Sequence, residues 1–511
     1  MLSYAFSYTI LGLEAFLVSI EIDIHSGLPL TNIVGLPDNV IKESKERIRS
    51  AIKNSGYKYP PQRVTINLSP AHLKKEGSSF ELAIALGILS ASGQIPSDSL
   101  NEFALLGELS LDGTIKPVKG GLPVALGLDR QKFKGLILPQ ENAGEAALCT
   151  ETKIFPVHTL IDVVGLLNDP NSIKPWKNEP LITMPASAKN PFDFCEVKGQ
   201  SHAKRGLEIA AAGNHNVLMI GPPGCGKSML AKRFPTILPE MNQKEAFETT
   251  KIYSVMGLLK IGEACMINRP FRTVHHTTSA VALVGGGTIP RPGEISLCHN
   301  GVLFLDELPE FSRHVLETLR QPLEDQHITI ARVNQTLQFP AKFILISAMN
   351  PCMCGHLGSS RIPCRCSSTQ IQKYRSRISG PLLDRIDLHI DVPAVNHSEL
   401  NNPATSEKSE QIKERVLKAR TIQAQRLPDE QNSVFNGQMN HRQIRQFCVL
   451  EKEETELLRQ AMIQLNLSAR AYDKILKISR TIADLDGSER IKLEHLAEAI
   501  QYRSLDRNFL S

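Results

Sequence analysis

The sequence predicts an α/β protein built around a parallel sheet with helices on both faces, an α+β region before it and a helical region after it. Three observations carry that expectation. Short apolar runs at Asn216–Ile220, Gly301–Leu305 and Lys342–Ala348 are separated by helical stretches, the pattern of strands buried on both sides. A glycine-rich loop, Gly221–Ser228, follows the first of these runs and opens a helix over Met229–Phe234. Charged amphipathic segments at Ser409–Gln425 and Glu451–Leu465, with apolar residues at helical spacing over Ala471–Leu485, occupy the end of the chain.

A chain of 511 residues is too long for one core and should hold two or three domains. Residues 1–169 alternate β-type runs (Phe16–Ile24, Arg63–Leu68, Gly135–Pro139) with helical stretches (Asn39–Asn54, Glu81–Ser92). A polar, proline-bearing stretch over 170–191 reads as a linker. The sheet-forming core spans 192–395, and a second polar stretch leads into the helical region of 396–511.

Composition narrows the class further. With 41% hydrophobic and 22% charged residues, the chain has the make-up of an ordinary soluble globular protein. The formal charge of +5 permits nucleic-acid binding without arguing for it. No apolar run approaches the ~20 residues of a membrane span. The opening segment is interrupted by Glu14, Glu21 and Asp23 and lacks a basic start, unlike a signal peptide. The expected location is cytoplasmic. Ten cysteines, four of them between Cys352 and Cys366, fit a reducing compartment better than a disulfide framework. The scattered ones, Cys149, Cys195, Cys225, Cys265, Cys298 and Cys448, read mostly as buried inert thiols.

The loop Gly221-Pro222-Pro223-Gly224-Cys225-Gly226-Lys227-Ser228 has strand, turn and helix in register. Its glycines let backbone N–H groups curl toward phosphate oxygens at a helix N-terminus. Lys227 is placed to neutralise the β- and γ-phosphates of ATP, and Ser228 to ligate Mg²⁺. Farther along, the apolar strand Gly301–Leu305 ends in Asp306 and Glu307. Asp306 suits the Mg²⁺ shell, and Glu307 suits activation of the attacking water. Asn350, at the end of the next strand, points into the ligand crevice of a doubly wound sheet and can polarise the water or the γ-phosphate. Its bland alternative is an asparagine favouring the turn before Pro351.

This order of motifs resembles the AAA+ superfamily. More narrowly, the chain resembles the ComM/YifB family of magnesium-chelatase-like ATPases over nearly its whole length. The residues that carry the resemblance are Val197-Lys-Gly199-Gln200, Arg269-Pro-Phe-Arg272 with His275-His276, and Leu283-Val-Gly-Gly-Gly287. Pro290-Arg291-Pro-Gly-Glu-Ile295, Asn350-Pro-Cys-x-Cys-Gly355 and Arg375–Ile390 complete the set. The resemblance implies that Val197, Gly199 and Gln200 pack near adenine and that Met229, directly after the phosphate loop, also contacts the nucleotide. It also implies that Arg385 is an arginine finger reaching a neighbouring subunit's γ-phosphate and that Arg470 is the sensor arginine of a helical lid. A finger acting between subunits requires an oligomer, here a closed ring and expectedly a hexamer. The partner implied is DNA, moved by a helicase that promotes branch migration in recombination and natural transformation. A protein-remodelling or metal-chelatase-type ATPase is the alternative.

Two stretches read as insertions into the plain P-loop pattern. One, from Tyr253 to His299, holds Arg272, His275, His276, three consecutive glycines and Arg291. The other, Ile328–Phe339, reads as a hairpin with Arg332 near its tip. Flexible glycine with arginine and histidine donors suits a loop that tracks a phosphate backbone, and packing between subunits is the alternative. His275 and His276 lack further metal ligands nearby in sequence.

Cys352, Cys354, Cys364 and Cys366 form two C-x-C pairs. Four thiolates can wrap one structural Zn²⁺, although the spacing is tighter than usual, and a redox-labile or idle cluster is the other reading. In the first region, Leu73–Gly121 resembles the fold of Lon-type proteases, with Lys75-Glu-Gly-Ser-Ser79 where such proteases keep a nucleophilic serine. The activating lysine that should follow Gly120-Gly-Leu122 is replaced by Pro123, and Lys119 lies on the wrong side of the glycines. Proline has no amine to serve as a base, so the domain is expected to be catalytically dead.

Overall fold

A computed structural model of the chain describes residues 2–177, 191–260, 262–287, 290–332, 335–358, 362–394, 407–426, 435–465 and 467–504. They divide into two compact units. The first is Met1–Pro185 with Asn242–Ile267 and Thr288–Arg291; the second is Ala186–Met241, Asn268–Gly287 and Pro292–Ser511. The segment 242–267, read as part of the ATPase core, belongs to the first unit, and the C-terminal helices, read as a separate lid, belong to the second.

The first unit is a seven-stranded sheet with strands β1 (Leu2–Leu11), β2 (Glu14–His25), β3 (Leu30–Val34), β4 (Arg63–Ser69), β5 (Phe103–Leu105), β6 (Gly135–Pro139) and β7 (Ile154–Val157). Their order across the sheet is β3-β4-β2-β1-β5-β6-β7. The strand β1 was not foreseen, because Ser3, Ser7 and Thr9 break its apolar pattern. All three are buried, and Ser3 donates to Ser90 Oγ at 2.8 Å, which removes the cost of burying its hydroxyl. One face of the sheet is covered by helices Asn39–Asn54 and Glu81–Ala91, the latter buried at every position. On the other face, helix Gly121–Gly127 packs through Leu122, Val124 and Ala125. The helix Gln243–Met256 lies against that helix, and the Gly120 N–H donates to the Ser254 carbonyl at 3.0 Å.

The second unit holds a parallel sheet of strands β8 (Val217–Ile220), β9 (Phe271–Val274), β10 (Gly301–Leu305), β13 (Phe343–Met349) and β14 (Leu388–Asp391), ordered β9-β10-β13-β8-β14. Between β10 and β13 comes the expected hairpin, β11 (His327–Arg332) and β12 (Gln335–Pro340). Side chains alternate between two cores, as the two-residue period of a strand requires. Val217 and Met219 meet helix Ser201–Gly213 and the C-terminal helices, whereas Leu218 and Ile220 meet Ile295, Leu305 and Leu316 on the other face. The C-terminal helices Ser409–Arg426, Ala469–Leu485 and Leu493–Gln501 share the first of these cores through Ile412, Val416, Ile475, Ile482 and Leu496. Among the described residues, no helix is long and apolar enough to cross a membrane.

Candidate nucleotide site

The register of the parallel sheet assembles the site. Ile220 lies opposite Met349 and Asp391, and Leu305 lies opposite Ser347. The loops that leave β8, β10 and β13 therefore emerge together at the carboxyl edge of the sheet, where ligands bind in folds of this type. There Ser228 Oγ donates to Asp306 Oδ2 at 2.8 Å. The buried Lys227 ammonium donates to the carbonyls of Gly221 at 2.6 Å and Pro222 at 3.0 Å, and to Asn350 Oδ1 at 3.2 Å. Gly221 is obligatory, since a Cβ there would collide with the Val392 carbonyl. Gly224 and Gly226 carry φ angles of 75° and 98°, in the left-handed region that opens the loop. Cys225 is buried in the loop, and burial pushes its thiol up despite the nearby Lys227 charge.

The turn before helix Ser201–Gly213 is tied to the same loop. Gln200 Nε2 donates to the Cys225 carbonyl at 3.3 Å and to the Pro393 carbonyl at 2.6 Å. Gly199 and Gln200 both take left-handed conformations, with φ of 62° and 58°. Val197 is buried and its carbonyl accepts from Lys204 Nζ at 2.6 Å, while Met229 is half-buried against the core.

Glu307 adopts φ of 52°, a conformation that costs a non-glycine residue about 1–3 kcal/mol and concentrates at functional sites. Its N–H donates to Asp306 Oδ1 at 2.9 Å, and its carboxylate faces His276, Nδ1 to Oε2 3.6 Å. His275 packs on His276 with ring centroids 4.1 Å apart, and its Nδ1 meets Thr277 Oγ1 at 3.0 Å. Here the expectation of one long insertion needs correction. Phe271–Val274 is the edge strand β9 of the central sheet, paired in parallel with β10. Arg272 lies on that strand and forks onto Glu294, at 2.7 and 2.8 Å, so it is a structural ion pair and not a loop-tip donor. His276 follows the same strand and lands beside Glu307, a placement that reading the pair as backbone-tracking donors missed. A Phe-Arg-Thr-Val run before two histidines was the available signal, but half of it is polar.

The other expected DNA contacts scatter. Arg291 is exposed and lies 3.8 Å from Glu76 within the first unit. Arg332 closes the hairpin opposite Gln335, and the turn residues 333 and 334 lie outside the described residues.

Arg385 donates to the Pro381 carbonyl at 2.7 Å and pairs with Glu324. Arg470 Nη1 reaches Asp384 Oδ2 at 2.7 Å with its side chain 71% exposed. Among the described residues, neither guanidinium hydrogen-bonds to Gly221–Ser228 of its own chain; Arg470 sits with the neighbour of Arg385. Two residues with no role read from the sequence hold this segment in place. Asn216, at the entry to β8, donates to the Arg385 carbonyl at 3.0 Å, accepts from the Leu345 N–H at 2.9 Å, and donates its own N–H to Asp387 Oδ2 at 3.0 Å. Burial works against the Asp387 carboxylate, but Lys474 at 3.2 Å, His215 and the Asn216 N–H outweigh it and hold it well below the usual carboxylate range.

Comparison with known proteins finds relatives along the whole chain. The family described as "Magnesium chelatase, subunit ChlI" matches residues 193–400, its C-terminal part matches 406–503, and "Subunit ChlI of Mg-chelatase" matches 20–142. The competence protein ComM of Haemophilus influenzae is 46% identical over 510 residues, 99% of this chain and 98% of that protein. The chain belongs to the ComM/YifB family of magnesium-chelatase-like proteins. YifB of Escherichia coli is 42% identical over 507 residues, covering 99% of this chain and 98% of its own length. Membership makes the second unit an AAA+ domain, a type that implies ATP and Mg²⁺. Lon protease 2 of Bacillus subtilis is 32% identical over 146 residues, which is 28% of this chain and 26% of that protein.

In this ComM/YifB member the four clustered cysteines converge. Their sulfurs all lie within 4.8 Å of one another, with Cys352 to Cys354 at 3.4 Å and Cys364 at 3.6 Å from each of them. Backbone N–H groups of Arg365 and His356 aim at Cys354 and bring its thiol down to about 6. In the first unit, Pro123 is the third residue of the buried helix Gly121–Gly127. Lys75 is wholly buried, donating to the Gly35 carbonyl at 3.0 Å and to the Pro70 carbonyl, and Lys119 packs against Gly257. Among the described residues, no lysine amine hydrogen-bonds to Ser79.

Proposed function

We propose that this protein is a ring-forming ATPase whose hydrolysis drives movement along DNA. The observation that carries the ATPase reading is the meeting of Ser228 with Asp306 and of Lys227 with Asn350 at one edge of a parallel sheet. The donor set suits a hard cation: the Ser228 hydroxyl and the Asp306 carboxylate, 2.8 Å apart, are oxygen donors of the type Mg²⁺ takes and would hold it. Bound there, Mg²⁺ supplies charge neutralisation on the β- and γ-phosphate oxygens. Lys227 binds those phosphates, Glu307 accepts the proton of the attacking water, and Asn350 orients that water. The turn at Val197, Gly199 and Gln200 seats the base.

Arg385 and Arg470 are read as groups that act on a neighbouring subunit: Arg385 pairs with Glu324 and Arg470 with Asp384, and among the described residues neither hydrogen-bonds to Gly221–Ser228 of its own chain. On this reading each site is completed only in a ring, which we take to be a hexamer. An arginine supplied across an interface is worth about 10³–10⁵ in rate.

DNA as the substrate, and branch migration as the outcome, rest on the family resemblance and on the competence protein among the relatives. His275 and the hairpin bearing Arg332 are the DNA contacts retained in this reading, Arg291 a weaker one. The first unit is read as a catalytically dead Lon-like scaffold. The deciding experiment measures ATP turnover and strand displacement with single-stranded, forked and four-way DNA, using Lys227→Ala and Glu307→Gln as controls. Stimulation by branched DNA is expected. Turnover indifferent to every DNA structure would sink the motor and favour the second reading, a chelatase-type or remodelling ATPase, which the family description itself supports.

A further inference from the structure

The loop that follows Asn350 carries the cysteine cluster and lies directly on the phosphate loop. Three contacts join them. Asn350, at the end of β13, meets Lys227 at 3.2 Å. Gly355, with φ of 79°, approaches Pro223 so closely that a Cβ there would stand 2.5 Å from Pro223 Cδ and 3.9 Å from Asn350 Cγ. Arg375 donates to the Pro351 carbonyl from Nε at 3.4 Å and Nη2 at 3.3 Å, so the base of the loop is gripped as well.

The cluster itself has the dimensions of a metal cage. Four sulfurs held at ~2.3 Å from a central ion in a tetrahedron stand about 3.8 Å apart. The 3.4–3.6 Å separations among Cys352, Cys354 and Cys364 are close to that, and Cys366 lies within the same 4.8 Å group. All four cysteines are free thiols. Crowding four soft sulfurs without an ion gains little, because thiols are poor hydrogen-bond donors to one another. A tetrahedral set of four thiolates selects zinc or iron, and zinc needs no redox partner to stay bound.

We propose that Cys352, Cys354, Cys364 and Cys366 hold one Zn²⁺, and that this ion sets the position of Asn350 and Pro223 and so the nucleotide affinity of the phosphate loop Gly221–Ser228. The second half rests on the reading of Gly221–Ser228 as the ATP site.

The test uses full-length protein prepared without metal-affinity resin. Elemental analysis is expected to find about one zinc per chain, and growth in cobalt is expected to give the thiolate-to-Co²⁺ charge-transfer band of a tetrahedral sulfur site. Wild type without stoichiometric metal, or holding iron instead, overturns the zinc site. Fluorescent ATP-analogue binding then reads the coupling in two variants. Cys366→Ser is expected to lose zinc and weaken binding about tenfold, the scale on which supporting groups tune a site. Gly355→Ala keeps all four sulfurs while crowding Pro223 and straining a backbone held at φ of 79°, so zinc is expected to be retained while nucleotide binding falls. Circular dichroism checks the fold of both. Equal affinity in zinc-free and zinc-loaded protein overturns the coupling and leaves the ATP site standing. Zinc-loaded wild type that binds no nucleotide overturns the ATP reading and the coupling with it, but not the zinc site.

Discussion

Lys227 and Asn350 meet at the end of β13, ammonium to amide oxygen at 3.2 Å, although 123 positions separate them in the chain. On the proposed reading, the contact joins the group that holds phosphate to the group that orients water. Their substitutions should therefore fail differently. Lys227→Ala is expected to lose ATP binding and hydrolysis together. Asn350→Ala should still bind ATP, with kcat lowered about 10²–10³-fold, the usual loss for one preorganised donor. Equilibrium binding beside steady-state turnover separates the two, and full turnover by Asn350→Ala would remove it from catalysis.

Glu307 is held by an unfavourable backbone conformation and faces His276 at 3.6 Å. Glu307→Gln is expected to bind ATP and to stop hydrolysing it. His276→Ala frees the Glu307 carboxylate from its neighbour, so it should change kcat while leaving ATP affinity within about twofold. A His276→Ala protein altered only in DNA affinity would return this histidine to the DNA-tracking role.

The proposed action of Arg385 across a subunit interface can be tested by mixing variants. Arg385→Ala should bind ATP normally and lose about 10³-fold in turnover. Mixed with Lys227→Ala, it should regain activity, because some interfaces then join an intact P-loop to an intact arginine from the next subunit. Mixtures no more active than the separate variants would show that Arg385 acts within its own chain or not at all.

Asp387 carries a stability prediction. Its carboxylate is held below the ordinary range, so its stabilising contribution is fully present above the unfolded value of about 3.9 and is lost only as pH falls through the depressed folded value. Wild type should therefore keep this contribution through the mildly acid range. Asp387→Asn leaves Lys474 buried beside a neutral partner, a change that typically costs about 3–5 kcal/mol. Chemical denaturation at pH 7 and pH 5 should show the variant weaker by a similar amount at both. Wild-type stability at both values would mean that Lys474 finds another partner.

Much of the site was legible because its chemistry is local. Gly221–Ser228 must be contiguous to wrap a phosphate, and the apolar strands before it and before Asp306 are each buried on both faces, so both announce themselves in composition. The cysteine pairs were legible for the same reason: side chains that converge from one loop leave their spacing in the sequence.

Where a short half-polar strand sits at an edge is a different matter. Phe271–Val274 and Leu388–Asp391 carry arginine, threonine, histidine and aspartate, and only pairing with β10 and β8 makes strands of them. Burial of Ser3, Ser7 and Thr9 inside β1 likewise depends on packing neighbours that composition does not reveal. The segment 242–267 follows the P-loop helix in the chain yet folds into the first unit, because its helix finds its apolar partner on Gly121–Gly127. The phosphate loop, its acidic strand and its cysteines could thus be read from residues alone. Tertiary packing decided what stands against them, His276 at Glu307, Gly355 at Pro223 and Asp384 at Arg470, because contacts between distant segments depend on how separately buried faces come together.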